Sequence, residues 1–281
     1  MQLIYFTKFL KGYTFEKVGE TAKSMGFDGL DLAIRPGQCV NPENVSDALP
    51  KALKVWRGQG LTVPLATLAG DAINPRDKGV EAILAACAEG NVRLIKLGYW
   101  LWKQTQWPGA QLSYWKGVDL IRESLAEFQR LGEKFGVRCL VHTHSDNYYG
   151  LNASSARHLV NGFDPRYIGI YLDPAHLAID GEVLPMGIDI CGEYLHMVAA
   201  KNMRYVPADG KEVNAANVAT WKHDGCQLYE GLVNWPEAIK ALKAAGYNGP
   251  VSVHGEYSGP EEIDYILEKV RKDIDFIRKH V

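Results

Sequence analysis

Tyr171-Leu-Asp-Pro-Ala-His-Leu-Ala-Ile-Asp-Gly181 is the stretch on which the reading of this chain turns. The residues leading into it, Ile168 to Leu172, form a short apolar run of the kind a buried strand needs. Asp173 stands where that strand ends, and Pro174 cannot continue a sheet ladder, so the chain must turn there. A carboxylate at the C-terminal end of a strand, with His176 three residues on, is how α/β barrels build metal or substrate sites. Asp is equally a favoured N-cap, and capping the next helix is the structural alternative. On this segment alone the two readings stand level.

Outward from it, one unit repeats. Strands are predicted at 3–6, 29–32, 62–66, 92–97, 137–141, 168–172, 195–199 and 251–253. Amphipathic helical patterns fall between them at 15–25, 51–59, 80–89, 115–135, 154–160, 186–190 and 235–245, and a last one closes the chain at 261–280. The long pattern at 115–135 repeats its apolar residues (Leu120, Ile121, Leu125, Phe128, Leu131) close to the 3.6 period. Strands alternating with helices pair in parallel through crossovers, and eight is a number at which such a sheet closes. The predicted fold is a (β/α)8 TIM barrel, one domain over residues 1–281, a length that suits the roughly 250 residues such barrels need. An open doubly wound sheet is the alternative, but no GxGxxG or GxxxxGK[ST] follows the first strand. The longest irregular stretch, about 202–232, follows the seventh strand and would lie over the C-terminal mouth.

Composition narrows the function. With 47% hydrophobic residues the chain can bury a sizeable core, and a formal net charge of −2 gives no reason to expect nucleic acid or an acidic membrane surface. The five cysteines are scattered without a CxxC pair, as in reduced thiols rather than a disulfide framework. No signal peptide and no apolar run approaching ~18 residues is visible. A cytoplasmic protein without membrane partner is therefore expected.

In a barrel, the residues that end the strands are the ones to inspect. Here imidazoles, carboxylates and lysines gather there: Asp31 and Arg35; Lys96 with Tyr99, Trp100 and Trp102; His142 and His144; Asp173 and His176; Lys201 and Arg204; His254 and Glu256. Alternation along a strand would put 142 with 144, and 254 with 256, on one side. A lone histidine is as often a hydrogen-bonded core residue as a functional one. Lys201 and Arg204 have a reading as solvated loop charges, although Lys201 directly follows an apolar strand. The aromatics, Trp107 among them, serve packing or the apolar faces of sugar rings. His158, His196, His223 and His280 read as structural or surface, and Lys211, Glu212, Lys222 and Asp224 as loop charge.

Three segments carry a resemblance: Gly26-Phe-Asp-Gly-Leu-Asp-Leu32, Leu172-Asp-Pro-Ala-His176 and Tyr247-Asn-Gly-Pro-Val-Ser-Val253, with Gly231-Leu-Val-Asn-Trp-Pro-Glu237 as a fourth. In order and spacing they resemble the xylose-isomerase-like barrel family of sugar isomerases and epimerases, over essentially the whole chain. The resemblance implies one divalent metal held by a Glu of strand five, an Asp of strand six, a His of strand seven and a Glu of strand eight, with the two glutamates moving protons. These positions fall on His142, Asp173, Ala199 and His254 here, so only the Asp is retained in kind. Two site compositions remain open. One is a divalent ion (zinc, manganese or similar) on Asp173, His142 and His254. The other is a metal-free site working through His142, His176, Lys201 and Glu256.

The implied activity is isomerisation or epimerisation of a small sugar, keto-sugar or polyol derivative by proton abstraction next to a carbonyl. Glu256, Lys201, His142 and His176 are the expected catalytic residues. Arg35, Lys96, His144, Trp100 and Arg204 are expected to contact the substrate. A lyase or dehydratase shares the first step, and a sugar-binding barrel that has lost its metal is the non-catalytic reading. An endonuclease of the same superfamily is not expected, because it needs several metals and a basic DNA face. Barrels of this kind often form homo-oligomers.

Overall fold

The computed structural model describes residues 1–103, 112–208, 210, 213, 216 and 218–281. Trp107, Lys211 and Glu212 lie outside the described residues. Along the chain run β1 (Gln2–Phe6), α1 (Phe15–Ser24), β2 (Gly29–Ile34), α2 (Val45–Gly58), β3 (Thr62–Leu68), α3 (Lys78–Glu89) and β4 (Leu94–Lys96). Then come α4 (Tyr114–Phe135), β5 (Arg138–His142), α5 (Ala153–Val160), β6 (Ile168–Leu172), α6 (Pro174–Ile179), α7 (Leu184–Cys191) and β7 (Leu195–Ala200). The chain finishes with β8 (Asn202–Pro207), β9 (Trp221–Cys226), α8 (Trp235–Ala244), β10 (Pro250–Val253) and α9 (Ile263–Ile277).

Eight strands close into a barrel in the order β1-β10-β7-β6-β5-β4-β3-β2, the (β/α)8 arrangement expected from the alternation. Every barrel pair is parallel, from Leu3 beside Val251 to Val141 beside Ile170. The barrel interior is filled by Ile4, Leu65, Leu94, Leu140, Tyr171, Met197 and Ala199. A larger apolar layer lies between strands and helices, into which α4 buries Val118, Ile121, Leu125 and Phe128. Gly136, at φ +68, ends α4 in the left-handed turn that glycine enters without strain. None of the described helices is long and apolar enough to cross a membrane.

Three elements differ from the sequence reading. Helix α2 starts at Val45, ahead of Pro50, where the sequence reading starts it after the proline. Pro50 and Ser46, whose carbonyl loses its helical donor, both lie on the exposed face, where water substitutes. The stretch after strand seven is not simply irregular: β8 and β9 pair antiparallel as a two-stranded ribbon. Lys222, His223 and Asp224 run together in β9 and Val206 and Pro207 adjoin in β8, so no sustained apolar alternation announces it. A short helix, α6, follows Asp173 immediately.

The ribbon is fixed where it leaves the barrel. Asn202 Nδ2 donates to the carbonyls of Leu228 (2.7 Å) and Val233 (2.9 Å), and its Oδ1 accepts from Val233 N (2.9 Å). Gly225 lets β9 press against the segment after β10, since a Cβ there would meet the Glu256 carbonyl oxygen at 2.3 Å. Ser258 N then donates to Gly225 O at 2.9 Å, bracing the loop that carries Glu256.

Candidate active site

At the C-terminal mouth each barrel strand contributes to one cavity of about 160 Å³. A water molecule occupies roughly 30 Å³ of liquid, so the space suits one small polar molecule. Its lining runs from Phe6 and Lys8 after β1, through Arg35, Thr67, Lys96 and Tyr99, to His142, His144, Tyr171, Lys201, His254 and Glu256.

One wall is organised by the Lys201 ammonium. Its Nζ lies 2.7 Å from His176 Nε2, 3.1 Å from Glu256 Oε2 and 3.3 Å from Asp173 Oδ2. Burial works against this charge, but Asp173 and Glu256 outweigh it and hold the pKa above the ordinary lysine range. A lysine only donates, so His176 accepts through Nε2 and carries its proton on Nδ1, which faces Ser145 Oγ at 2.8 Å. Burial, then Lys201, keeps His176 neutral, with a pKa well below the usual value. His144 stacks on His176 with ring centroids 3.8 Å apart, and its own pKa is lowered to about 4, chiefly by burial.

Asp173 is both cap and site residue, one oxygen to each. Oδ1 accepts from Ala175 N (3.0 Å) and His176 N (3.4 Å) at the start of α6. Oδ2 faces Lys201 at 3.3 Å, His142 Nε2 at 3.4 Å and His176 Nε2 at 3.7 Å. Burial raises the pKa of this carboxyl, yet Lys201, His176 and His142 together hold it below the carboxylate range. His142 Nδ1 meets the Tyr99 hydroxyl at 2.8 Å, and burial depresses the imidazole to about 3.

Glu256 takes Lys201 on one oxygen and Lys8 on the other. Burial again opposes its charge, but Lys201, His254 and Lys8 keep its pKa well below the usual value. The turn that aims it is Gly255, at φ +64 between His254 and Glu256. Strand β10 has already ended at Val253, so strand alternation is not what brings His254 and Glu256 to the same cavity. Beneath them, Tyr171 OH donates to Asp31 Oδ2 (3.1 Å) and meets His254 Nε2 (2.8 Å). Thr67 and Ser252 also donate to Asp31, at 2.5 Å and 2.8 Å. Asp31 is thereby a buried floor residue.

The other lysine is held differently. Lys96 is 1% exposed, its Nζ sits 3.3 Å from the Tyr99 ring centroid, and it has no hydrogen-bond partner among the described residues. Burying an unpaired ammonium costs several kcal/mol, whereas a desolvated cation–π contact returns about 2 kcal/mol. The balance shifts toward the neutral amine. Burial, then Arg35, puts the Lys96 pKa well below the ordinary lysine value.

The sequence profile of the xylose isomerase-like TIM barrel family matches residues 20–280. The chain belongs to that family. No curated protein matches it by sequence. Among solved structures it is similar to the IOLI protein with a bound zinc atom, at 16% identity, TM-score 0.74, covering 100% of this chain and 99% of that one. It is also similar to the 3-keto-D-glucoside 4-epimerase YcjR of E. coli, at 16% identity, TM-score 0.71 and 99% coverage of both chains. The probable 3-DHS dehydratase AsbF of Bacillus anthracis is similar at 16% identity, TM-score 0.69 and 99% coverage of both. At such identities the likeness shows the fold.

The family's metal finds no matching donor set here. Among the described residues no group of three or more His, Cys, Asp or Glu side chains is arranged to hold an ion. Ala199 offers no donor, His254 Nε2 is turned to Tyr171, and the Lys201 ammonium already lies against Asp173 Oδ2. The side chains as arranged do not fit a divalent ion.

Of the residues singled out in the sequence, His142, His176, Lys201, Asp173, Glu256 and His254 come together, and Arg35, Lys96 and His144 line the same cavity. Two do not join them. Trp100 is buried in the layer between strands and helices, beside Tyr99 but turned from the cavity. Arg204 lies on the ribbon, half-exposed, 3.7 Å from Asp224. Lys8, Thr67 and Tyr171 were missed. Lys8 follows β1 by two residues and Thr67 is the last but one residue of β3, strand ends to which the same rule applied, and Tyr171 reads as one more apolar residue of a buried strand.

Proposed function

We propose that this chain is an isomerase or epimerase of a small keto-sugar or polyol derivative, working by proton abstraction next to a carbonyl. The observation that carries this reading is the Lys201 ammonium, pinned by Asp173, Glu256 and His176 at the wall of a small polar cavity. Removing such a proton pushes negative charge onto the carbonyl oxygen, and a fixed, desolvated positive charge beside that oxygen stabilises the transition state more than the ground state. Lys201 supplies it without reorganisation, because Asp173 and His176 hold it in place. Glu256, ionised and in contact with Lys201, passes protons on that wall. Arg35, His144 and Tyr99 offer hydrogen bonds to substrate hydroxyls.

With Lys201 in the position of the cation, the reaction proceeds without a resident divalent ion. The similarity to epimerases and to IOLI supports the reading, and the dehydratase keeps elimination as its nearest competitor.

The test is incubation with a panel of four- to six-carbon ketoses in D2O, followed by NMR. The expected result is deuterium at the carbon next to the carbonyl, together with a new sugar isomer. A product that has lost water would make the chain a lyase. Ligand-induced thermal stabilisation without exchange would make it a sugar-binding barrel.

A further inference from the structure

We propose that Lys96 is a second proton-transfer residue, set across the cavity from Glu256, and that the reaction is therefore inversion at one carbon. This rests on the reading above, that the substrate loses a proton next to a carbonyl. In the closed order β1-β10-β7-β6-β5-β4-β3-β2, β4 and β10 stand on opposite sides of the barrel. Lys96 is the last residue of β4, and Glu256 follows β10 by three residues. A molecule in the cavity both residues line lies between them.

The surroundings of Lys96 leave it without a counter-ion. Asp31 of β2 is committed to Thr67, Ser252 and Tyr171, and Glu256 is committed to Lys8 and Lys201. Asp31 and Glu256 favour a charge on Lys96 from a distance, but burial first, then Arg35, with Lys8 beyond β1, outweigh them, and His142 at the end of β5 is neutral. Tyr99 presents its ring face to Nζ, while its hydroxyl is engaged by His142. Lys96 lines the cavity, and a deprotonated lysine amine is the form that accepts a proton or attacks a carbonyl.

In the step assigned to it, the Lys96 lone pair takes the proton and becomes an ammonium. The C–H electron pair moves into the adjacent carbon–carbon bond, and the carbonyl π pair moves onto oxygen, where Lys201 meets the charge. The planar carbon then receives a proton on its opposite face from the Lys201–Glu256 pair, which closes it with inverted configuration. The proton left on Lys96 returns to that pair through water. No oxidant, reductant or co-reactant is consumed. A single proton carrier on one face would instead return the proton to the former carbonyl carbon and move the carbonyl, giving an aldose when the proton comes from C1.

The experiment follows ketoses in D2O with the wild type, Lys96→Arg and Lys96→Met. The wild type should give a C-epimer that carries deuterium while recovered ketose carries none. Both variants should slow exchange roughly 100- to 10,000-fold. Arginine keeps a similar length but stays protonated and cannot act as a base, so near-normal exchange by Lys96→Arg overturns the proposal, as does an aldose product. A readout independent of substrate comes from protein labelled with carbon-13 at lysine Cε, the Lys96 signal being assigned by its loss in Lys96→Arg. A signal in the neutral position at pH 7 is expected, and one that titrates with the surface lysines overturns the proposal alone. If the wild type exchanges no ketose at all, the functional reading falls and this one with it.

Discussion

Lys201 and Lys96 follow or end strands of the same barrel, are both buried and line one cavity, yet their surroundings shift their pKa values in opposite directions. Lys201 has two carboxylates within 3.3 Å and keeps its proton. Lys96 has an aromatic face and no ion pair among the described residues, and burial, then Arg35, puts its pKa well below the ordinary lysine value although Asp31 and Glu256 oppose this. Burial is common to the two, so partners decide the charge, and groups driven apart in this way are candidates for acid and base roles.

The same substitution at the two positions should therefore have opposite signs. Lys201→Met leaves Asp173 and Glu256 without their shared cation. It should cost about 3–5 kcal/mol in urea unfolding, the range for breaking a buried pair, and abolish exchange. Lys96→Met removes a penalty instead of a pairing, so at pH 7 it should raise stability by about 0.5–2 kcal/mol while it slows turnover, a stability–activity trade-off. Equal destabilisation by both would break the comparison.

Acidity sharpens it further. Asp173 and Glu256 have folded pKa values below their unfolded ones, so their contribution is present above about pH 4 and is lost as pH falls through the folded values. Lys201, with a raised folded pKa, contributes fully below about pH 10.4 and loses that contribution as pH rises through the folded value. Lys96 has the other sign: its depressed pKa lets stability fall as pH drops below about 10.4, until the folded amine itself takes a proton. Unfolding free energies of wild type and Lys96→Met should accordingly diverge from pH 10 to pH 7. Parallel curves would mean that Lys96 is an ordinary lysine.

The smallest effect is expected at Arg204, half-exposed on the ribbon and loosely paired with Asp224. Arg204→Ala should change stability by no more than about 0.5 kcal/mol and leave exchange at its wild-type rate. A large loss of exchange would bring the ribbon into the site.

Strand alternation and the rule that barrel strands end at the site made the fold legible, along with most of the mouth: His142, Lys201, His254 and Glu256 all end or follow strands. The rest depended on geometry that no local pattern carries. Arg204 sits three residues beyond Lys201, but the chain between them departs into the ribbon, so sequence proximity misled. Trp100 adjoins Tyr99 and turns the other way. Asp173 was level between cap and site because its two oxygens do both jobs. The charge states of Lys96 and Lys201 follow from neighbours up to 160 residues away, such as Asp173, Glu256 and Arg35.

The measurement that bears most directly on the account is the rate of deuterium exchange into a ketose before and after exhaustive chelation, and again after adding zinc or manganese. With Lys201 as the fixed cation, the rate should be the same in all three states. Exchange that disappears on chelation and returns with metal would contradict the account.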